Sequence, residues 1–275
     1  MFRLPNLSVH FFLAVYAVIA LLPFGIIVLN SFKTRSGIFG DPLSLPDPTT
    51  LSTAGYQTLF ASTDFVLYIG NSTIITSVSL LFIIGLGACA AYGLLESKTT
   101  LSKWTWLLII VGIMIPLRLG TVGLLELMKG LNLLNSLIGL ICIYVAQGLP
   151  LAVFIYTEVF RRFPKELIAS ARMDGLGPAK TLFFIVMPLT RPTTATIAIF
   201  SLVPVWNDLW FPLIIAPDPN VRTVTLGVQQ FIGQFTVDWQ AVLAALSIAM
   251  APAFAIYALI SRNFIRNLSA GSIKG

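Results

Sequence analysis

The sequence predicts an all-α membrane protein of six transmembrane helices, and three observations carry that prediction. Of 275 residues, 57% are hydrophobic and only 10% charged, and the mean hydropathy is +0.90; soluble domains carry about 25% charged residues. Such a chain cannot cover itself with polar surface in water, so the bilayer is its solvent. Six apolar stretches each reach the roughly 20 residues that a helix needs to cross the hydrocarbon. The basic residues, with one exception at Arg118, gather between those stretches.

The first stretch covers residues 10–30. Its apolar core is too long for a signal peptide, and Asn30-Ser-Phe-Lys33 follows in place of a small-residue cleavage pattern, so it reads as a retained span. A long loop with Pro42, Pro46 and Pro48 leads to the second span, 69–95, whose small residues from Gly85 to Gly93 favour close helix packing. The third span, 104–127, holds Pro116, which can kink it. The fourth covers 137–160, the fifth 193–216 and the sixth 239–260. A polar segment over 161–190 separates the fourth from the fifth, and a loop opening at Pro217 separates the fifth from the sixth. Without an internal repeat or low-complexity tract, the chain reads as one transmembrane domain over 1–275.

Orientation follows from Lys and Arg. With the N-terminus in the cytoplasm, the inner segments hold Arg3, Lys98, Lys103, Arg161, Arg162, Lys165, Arg172, Lys180, Arg191, Arg262, Arg266 and Lys274, which is 12 of 17 basic residues. The outer loops keep Lys33, Arg35, Lys129 and Arg222. Both termini and the 161–190 segment are therefore expected inside.

Several chemistries are excluded. The net charge of +6 lies in the loops and does not imply nucleic acid. Cys89 and Cys142 fall in apolar runs, neither a disulfide framework nor a metal site, and read as small buried hydrophobes. His10 is the only histidine, which rules out a His-based zinc site or a catalytic triad. There is no Gly-x-x-x-x-Gly-Lys-Ser/Thr phosphate loop, paired-carboxylate site or nucleophile elbow. No catalytic residue and no metal site is expected, and no cofactor bound by this chain.

The polar segment reads as helix, sharp turn, helix. Pro164 is tolerated in a first helical turn, Gly175 suits the left-handed position past a helix end, Pro178 can open a second helix, and Pro188 must end or kink it. Leu167, Ile168 and Ala171 form an apolar strip, and Ala169, Ser170 and Ala171 are small enough to let another backbone approach. The spacing Ala169-Ser-Ala, three residues, Gly175, nine residues, Ile185-Val-Met-Pro188 resembles the EAA loop of bacterial ABC-importer permeases. That pattern is Glu-Ala-Ala, three residues, Gly, nine residues, Ile-x-Leu-Pro. Trp206-Asn-Asp-Leu-Trp-Phe-Pro-Leu213 and the tail Leu268-Ser-Ala-Gly-Ser-Ile-Lys-Gly275 also fit. Together they resemble the carbohydrate-uptake permeases of the maltose type over nearly the whole chain. One departure stands out: the family's Glu falls at Ala169, and its middle Ala at Ser170, while Glu166 lies three residues upstream. Where the resemblance implies a salt bridge from that Glu to an ATPase, this chain lacks it, leaving Arg172, Asp174 or another residue for the polar contact.

Polar residues within apolar stretches are costly and face a cavity or a partner. Asp208 and Asn207 sit between Trp206 and Trp210, a set of acceptors and aromatic faces that suits sugar binding; interhelical hydrogen bonding is the alternative. Arg118 and Glu126 lie eight residues apart, on one face of a continuous helix, and suggest a water-accessible path or snorkelling to the interface. Asn71, Tyr144 and Gln147 are weaker pathway candidates.

The resemblance implies a type I ABC-importer-like permease in the bacterial inner membrane, moving a sugar or glycoside. Its partners would be a second homologous permease, an ATPase dimer carrying ATP and Mg²⁺, an extracytoplasmic solute-binding protein and membrane lipid. The 161–190 loop would couple to the ATPase through Glu166 to Arg172, Asp174 and Gly175. The competing class is an ion-driven secondary transporter using Arg118, Glu126 and Asp208; with no repeat, six spans would require dimerisation.

Overall fold

A computed structural model describes residues 7–97, 99–233 and 236–271. In chain order the helices are α1 (Leu7–Ser31), α2 (Arg35–Gly40), α3 (Ala54–Ser62), α4 (Phe65–Glu96), α5 (Thr100–Met114), α6 (Thr121–Gly130), α7 (Leu137–Arg161), α8 (Lys165–Met173), α9 (Pro178–Thr181), α10 (Met187–Leu189), α11 (Arg191–Trp206), α12 (Trp210–Ile215), α13 (Val224–Gln229) and α14 (Trp239–Gly271). Among the described residues there is no strand, only isolated bridges of Lys33 with Leu51 and Ile232 with Val237. Four helices, α1, α4, α7 and α14, are each long and apolar enough to cross a membrane, and six spans result if the bent pairs in α5–α6 and α9–α11 each count as one. Of the basic residues that set the expected orientation, Arg3, Lys98 and Lys274 lie outside the described residues, as does the tail from 272 onward.

Two expected spans are broken. Helix α5 stops at Met114 and a 3₁₀ turn over Leu117–Gly120 intervenes before α6. Pro116 lacks an N–H for the helical ladder and biases Ile115 to its extended ψ of 120°. Arg118 therefore precedes α6 while Glu126 lies within it, so the two do not share one continuous helix face. Helix α11 stops at Trp206, and α12 restarts at Trp210.

The chain divides into two compact units, residues 1–67 with 224–252 and residues 68–223 with 253–275. In the first, the loop after α1 is a built structure. Lys33 is fully buried, its Nζ donating to the Asp41 carbonyl at 2.8 Å and to Ser44 Oγ at 3.3 Å. Asp47 accepts from the hydroxyls and backbone N–H groups of Thr49 and Thr50, which hold its carboxyl down at about 2. Ser31 and Tyr56 share a 2.7 Å hydroxyl contact, and Tyr56 donates onward to Ser247. Asp238 starts α14 by accepting from Ala241 N at 3.1 Å. The spanning window of α1, by contrast, buries none of its residues.

In the second unit, α4 and α7 approach closely. A Cβ at Gly87 would meet Ala152 Cβ at 2.9 Å, and one at Gly148 would meet Ile83 Cδ1 at 2.5 Å, so both glycines permit the packing. Around this seam lie Tyr92, Tyr156, Phe160, Leu182, Val186 and Ile197. A second cluster joins Ile75, Met128, Ile143, Tyr144, Val205, Phe211 and Ile215. Ser136 begins α7 by accepting from Gly139 N at 3.0 Å. Cys89 and Cys142 are exposed, not buried as expected; on spanning helices such small apolar side chains face lipid or another subunit.

Candidate functional site

Helix α8 follows Pro164 and carries Glu166 in its first turn and Arg172 in its last, each complementing the helix dipole. Only Ala171 is buried; Leu167 is 43% exposed and Met173 83% exposed. Ala169 and Ser170 are exposed and Ile168 is half-buried, so α8 offers a small, partly apolar face. Its end is a Schellman turn: Gly175 N donates to Arg172 O and Leu176 N to Ala171 O, both at 3.0 Å. Gly175 has φ +81°, the left-handed conformation that the spacing anticipates. Nothing would obstruct a Cβ there, so the requirement is one of backbone conformation.

Beyond the turn, Pro178 opens α9, and a π-helical turn over Leu182–Val186 leads into α10. Met187 N bonds to Leu182 O, and Pro188 has no N–H for Phe184 O, so the ladder widens here. Leu182 and Val186 anchor this stretch in the core while Phe184 stays 73% exposed. The helix axis then turns by 82° into α11.

Arg172 is engaged within the chain. Its guanidinium forms a salt bridge with Glu96 at the end of α4. The neighbouring carboxylate holds the proton on Arg172 more firmly than usual. Glu96 was not singled out from sequence: the two residues are 76 positions apart, and no periodicity links them.

The second constellation centres on Asp208, whose side chain is 8% exposed. Its Oδ2 accepts from Tyr144 OH at 3.0 Å and from Phe211 N at 3.1 Å, and its Oδ1 accepts from Trp210 N at 3.3 Å. Arg118 Nη2 lies 3.6 Å from Oδ1, with its side chain 71% exposed. Asp208 thus supplies acceptors where α11 has ended and α12 begins. Trp210, 41% exposed, donates its indole N–H to Thr121 Oγ1 at 3.0 Å. Asn207 is exposed and donates Nδ2 to Val203 O at 3.0 Å. Trp206 is buried in the helix. The structure therefore joins Asp208, Arg118, Trp210 and Tyr144, and adds Thr121. Glu126 and Gln147 are exposed on α6 and α7. Asn71 is buried and directs Nδ2 to the carbonyls of Asn220 and Arg222, both at 3.0 Å.

Long apolar helices, two broken spans and an exposed glycine-terminated helix between α7 and α11 define a multi-pass membrane protein. The chain belongs to the family of binding-protein-dependent transport system inner membrane components, whose family model matches residues 83–270. It is 33% identical over 265 residues to the melibiose/raffinose/stachyose import permease MelC of Bacillus subtilis, covering 95% of this chain and 94% of that one. It is 31% identical over 252 residues to AmyC of Thermoanaerobacterium thermosulfurigenes, a probable starch degradation products transport system permease, covering 92% and 91%. A chain in the crystal structure of a bacterial ABC transporter that imports the acidic polysaccharide alginate shares the fold, with TM-score 0.75 at 17% identity, over 96% of this chain and 100% of that one.

Proposed function

We propose that this chain is one of two homologous permease subunits of an ATP-driven importer for sugars or glycosides, forming half of the translocation path. The observation that carries the reading is α8, an exposed amphipathic helix closed by a left-handed glycine and held between α7 and α11. A short helix fixed at its base and open on its outer face fits a groove on a soluble ATPase. Leu167, Ile168, Ala169 and Ser170 supply the close contact, with Glu166 and Asp174 at its rim. ATP and Mg²⁺ bind to the ATPase pair, and closure of that pair drives α8. The turn around Pro217 lies at the opposite, extracytoplasmic end and meets the solute-binding protein. Both termini lie in the cytoplasm, as the distribution of Lys and Arg supports. The names of the saccharide-importing relatives support a saccharide cargo.

Within the path, Trp210 offers an exposed ring for sugar C–H faces and Asn207 an amide for hydroxyls. Asp208 acts by positioning Trp210, from whose backbone N–H it accepts a hydrogen bond. Purification of the tagged chain from its host tests the reading: an ATPase and a second permease should accompany it in stoichiometric amounts, and the reconstituted complex should import a sugar with ATP. Ion-driven uptake by the chain alone in liposomes would overturn it.

A further inference from the structure

Helix α4 connects the two ends of the second unit. Among the four helices long enough to cross alone, α1, α7 and α14 contain Pro23, Pro150 and Pro252, whereas α4 has no proline over its 32 residues. Proline removes a backbone donor and kinks a helix, so α4 is the one of the four with no proline break along its length. At one end Glu96 is ion-paired with Arg172 of α8. At the other, Asn71 donates both amide hydrogens to the Asn220 and Arg222 carbonyls. The Arg222 guanidinium lies 5.8 Å from the centre of the Tyr68 ring, adding a second grip from α4. The held turn is itself rigid: Asp218 Oδ1 accepts from Asn220 N at 2.8 Å, and Arg222 Nη2 donates to Pro217 O at 3.0 Å. From Asn71 to Glu96 a helix rises about 38 Å, more than the roughly 30 Å hydrocarbon thickness.

We infer that α4 is a push-rod between the two faces: displacement of α8 is passed through the Arg172–Glu96 pair along α4 to the Pro217–Arg222 turn, and a load on that turn returns the same way. The inference rests on the reading of α8 as the ATPase-docking helix. It makes Arg172 and Glu96 positioning residues, and leaves the apolar face of α8 to touch the ATPase. By linkage, the influence runs in both directions.

The test uses the reconstituted complex with its ATPase and binding protein. A spin label is placed by Pro219→Cys in a Cys89→Ser/Cys142→Ser background. In the parent complex ATP should change the label's mobility, and binding protein should stimulate hydrolysis. Glu96→Gln should leave assembly and unstimulated hydrolysis unchanged, abolish the mobility change, and lower stimulation about tenfold. The charge reversal Glu96→Arg with Arg172→Glu should restore both to within about twofold. A mobility change and stimulation that survive Glu96→Gln overturn the inference, and so does a reversal that restores neither. Failure of any ATPase to assemble with the parent chain would instead overturn the docking reading beneath it.

Discussion

Asp208 draws a tyrosine, an arginine and two backbone N–H groups from three parts of the chain onto one nearly buried carboxylate. Replacing it with Ala removes the acceptor for those donors, and each buried donor left unsatisfied costs about 1–3 kcal/mol. Asp208→Ala should therefore lower both the thermal midpoint in detergent and transport, while Trp210→Ala should lower transport at least tenfold with a smaller loss of stability. Thermal unfolding beside sugar uptake in proteoliposomes checks the split; a stable, transport-competent Asp208→Ala protein would remove the positioning role. Asp208 was legible in the sequence because a carboxylate in an apolar run demands a reason. Its partners were less so. Tyr144 is 64 positions away, and Thr121 has an ordinary hydroxyl that gives no signal until the indole is placed over it. Arg118 was legible as an anomaly, yet the pairing with Glu126 assumed a helix that Pro116 interrupts.

Among the elements, α8 and its turn were the most readable, because a left-handed glycine and two flanking prolines are local signals. Gly175→Val places a β-branched residue at φ +81°, a conformation that costs an L-residue about 1–2 kcal/mol and a β-branched one more. The turn should open, and transport per ATP hydrolysed should fall severalfold while hydrolysis continues. Coupling equal to that of the parent would show that the turn geometry is dispensable. The break at Asn207–Leu209 was not legible. Hydropathy counts side chains, and the residues from Thr193 to Ala216 are apolar enough for one span. At the end of α11, Asp208 takes over the backbone donors of Trp210 and Phe211, and Pro212 has no N–H to return to Asp208 O, choices that hydropathy does not record. Glu96 shows the same limit, since an ion pair across 76 positions leaves no trace in spacing.

At the scale of the molecule, composition alone settled the solvent; the fifth apolar stretch, 193–216, takes in α11 and α12, whereas the second bent pair runs from Pro178 to Trp206. α1 and the Asp208 site differ in what they require of the rest of the chain. α1 buries nothing across its spanning window, so its place in the bilayer needs no later segment. The site at Asp208 depends on chain order. Arg118 lies 90 residues before Asp208 (208 − 118), and translation proceeds at about 5–20 residues per second. During synthesis the guanidinium therefore waits about 5–18 seconds for its carboxylate, and Thr121 waits nearly as long for the Trp210 indole. Through that interval the segment around the α5–α6 break lacks both partners, so its contacts with Asp208 and Trp210 are completed late in biogenesis. Ribosome-stalled chains ending before Asn207 should label a Thr121→Cys thiol, in the Cys89→Ser/Cys142→Ser background, faster than full-length chains do. Equal labelling would mean that the segment reaches its final arrangement without its carboxylate. The ion pair that completes the Asp208 site is thus also a clock on insertion, set by the distance between two codons.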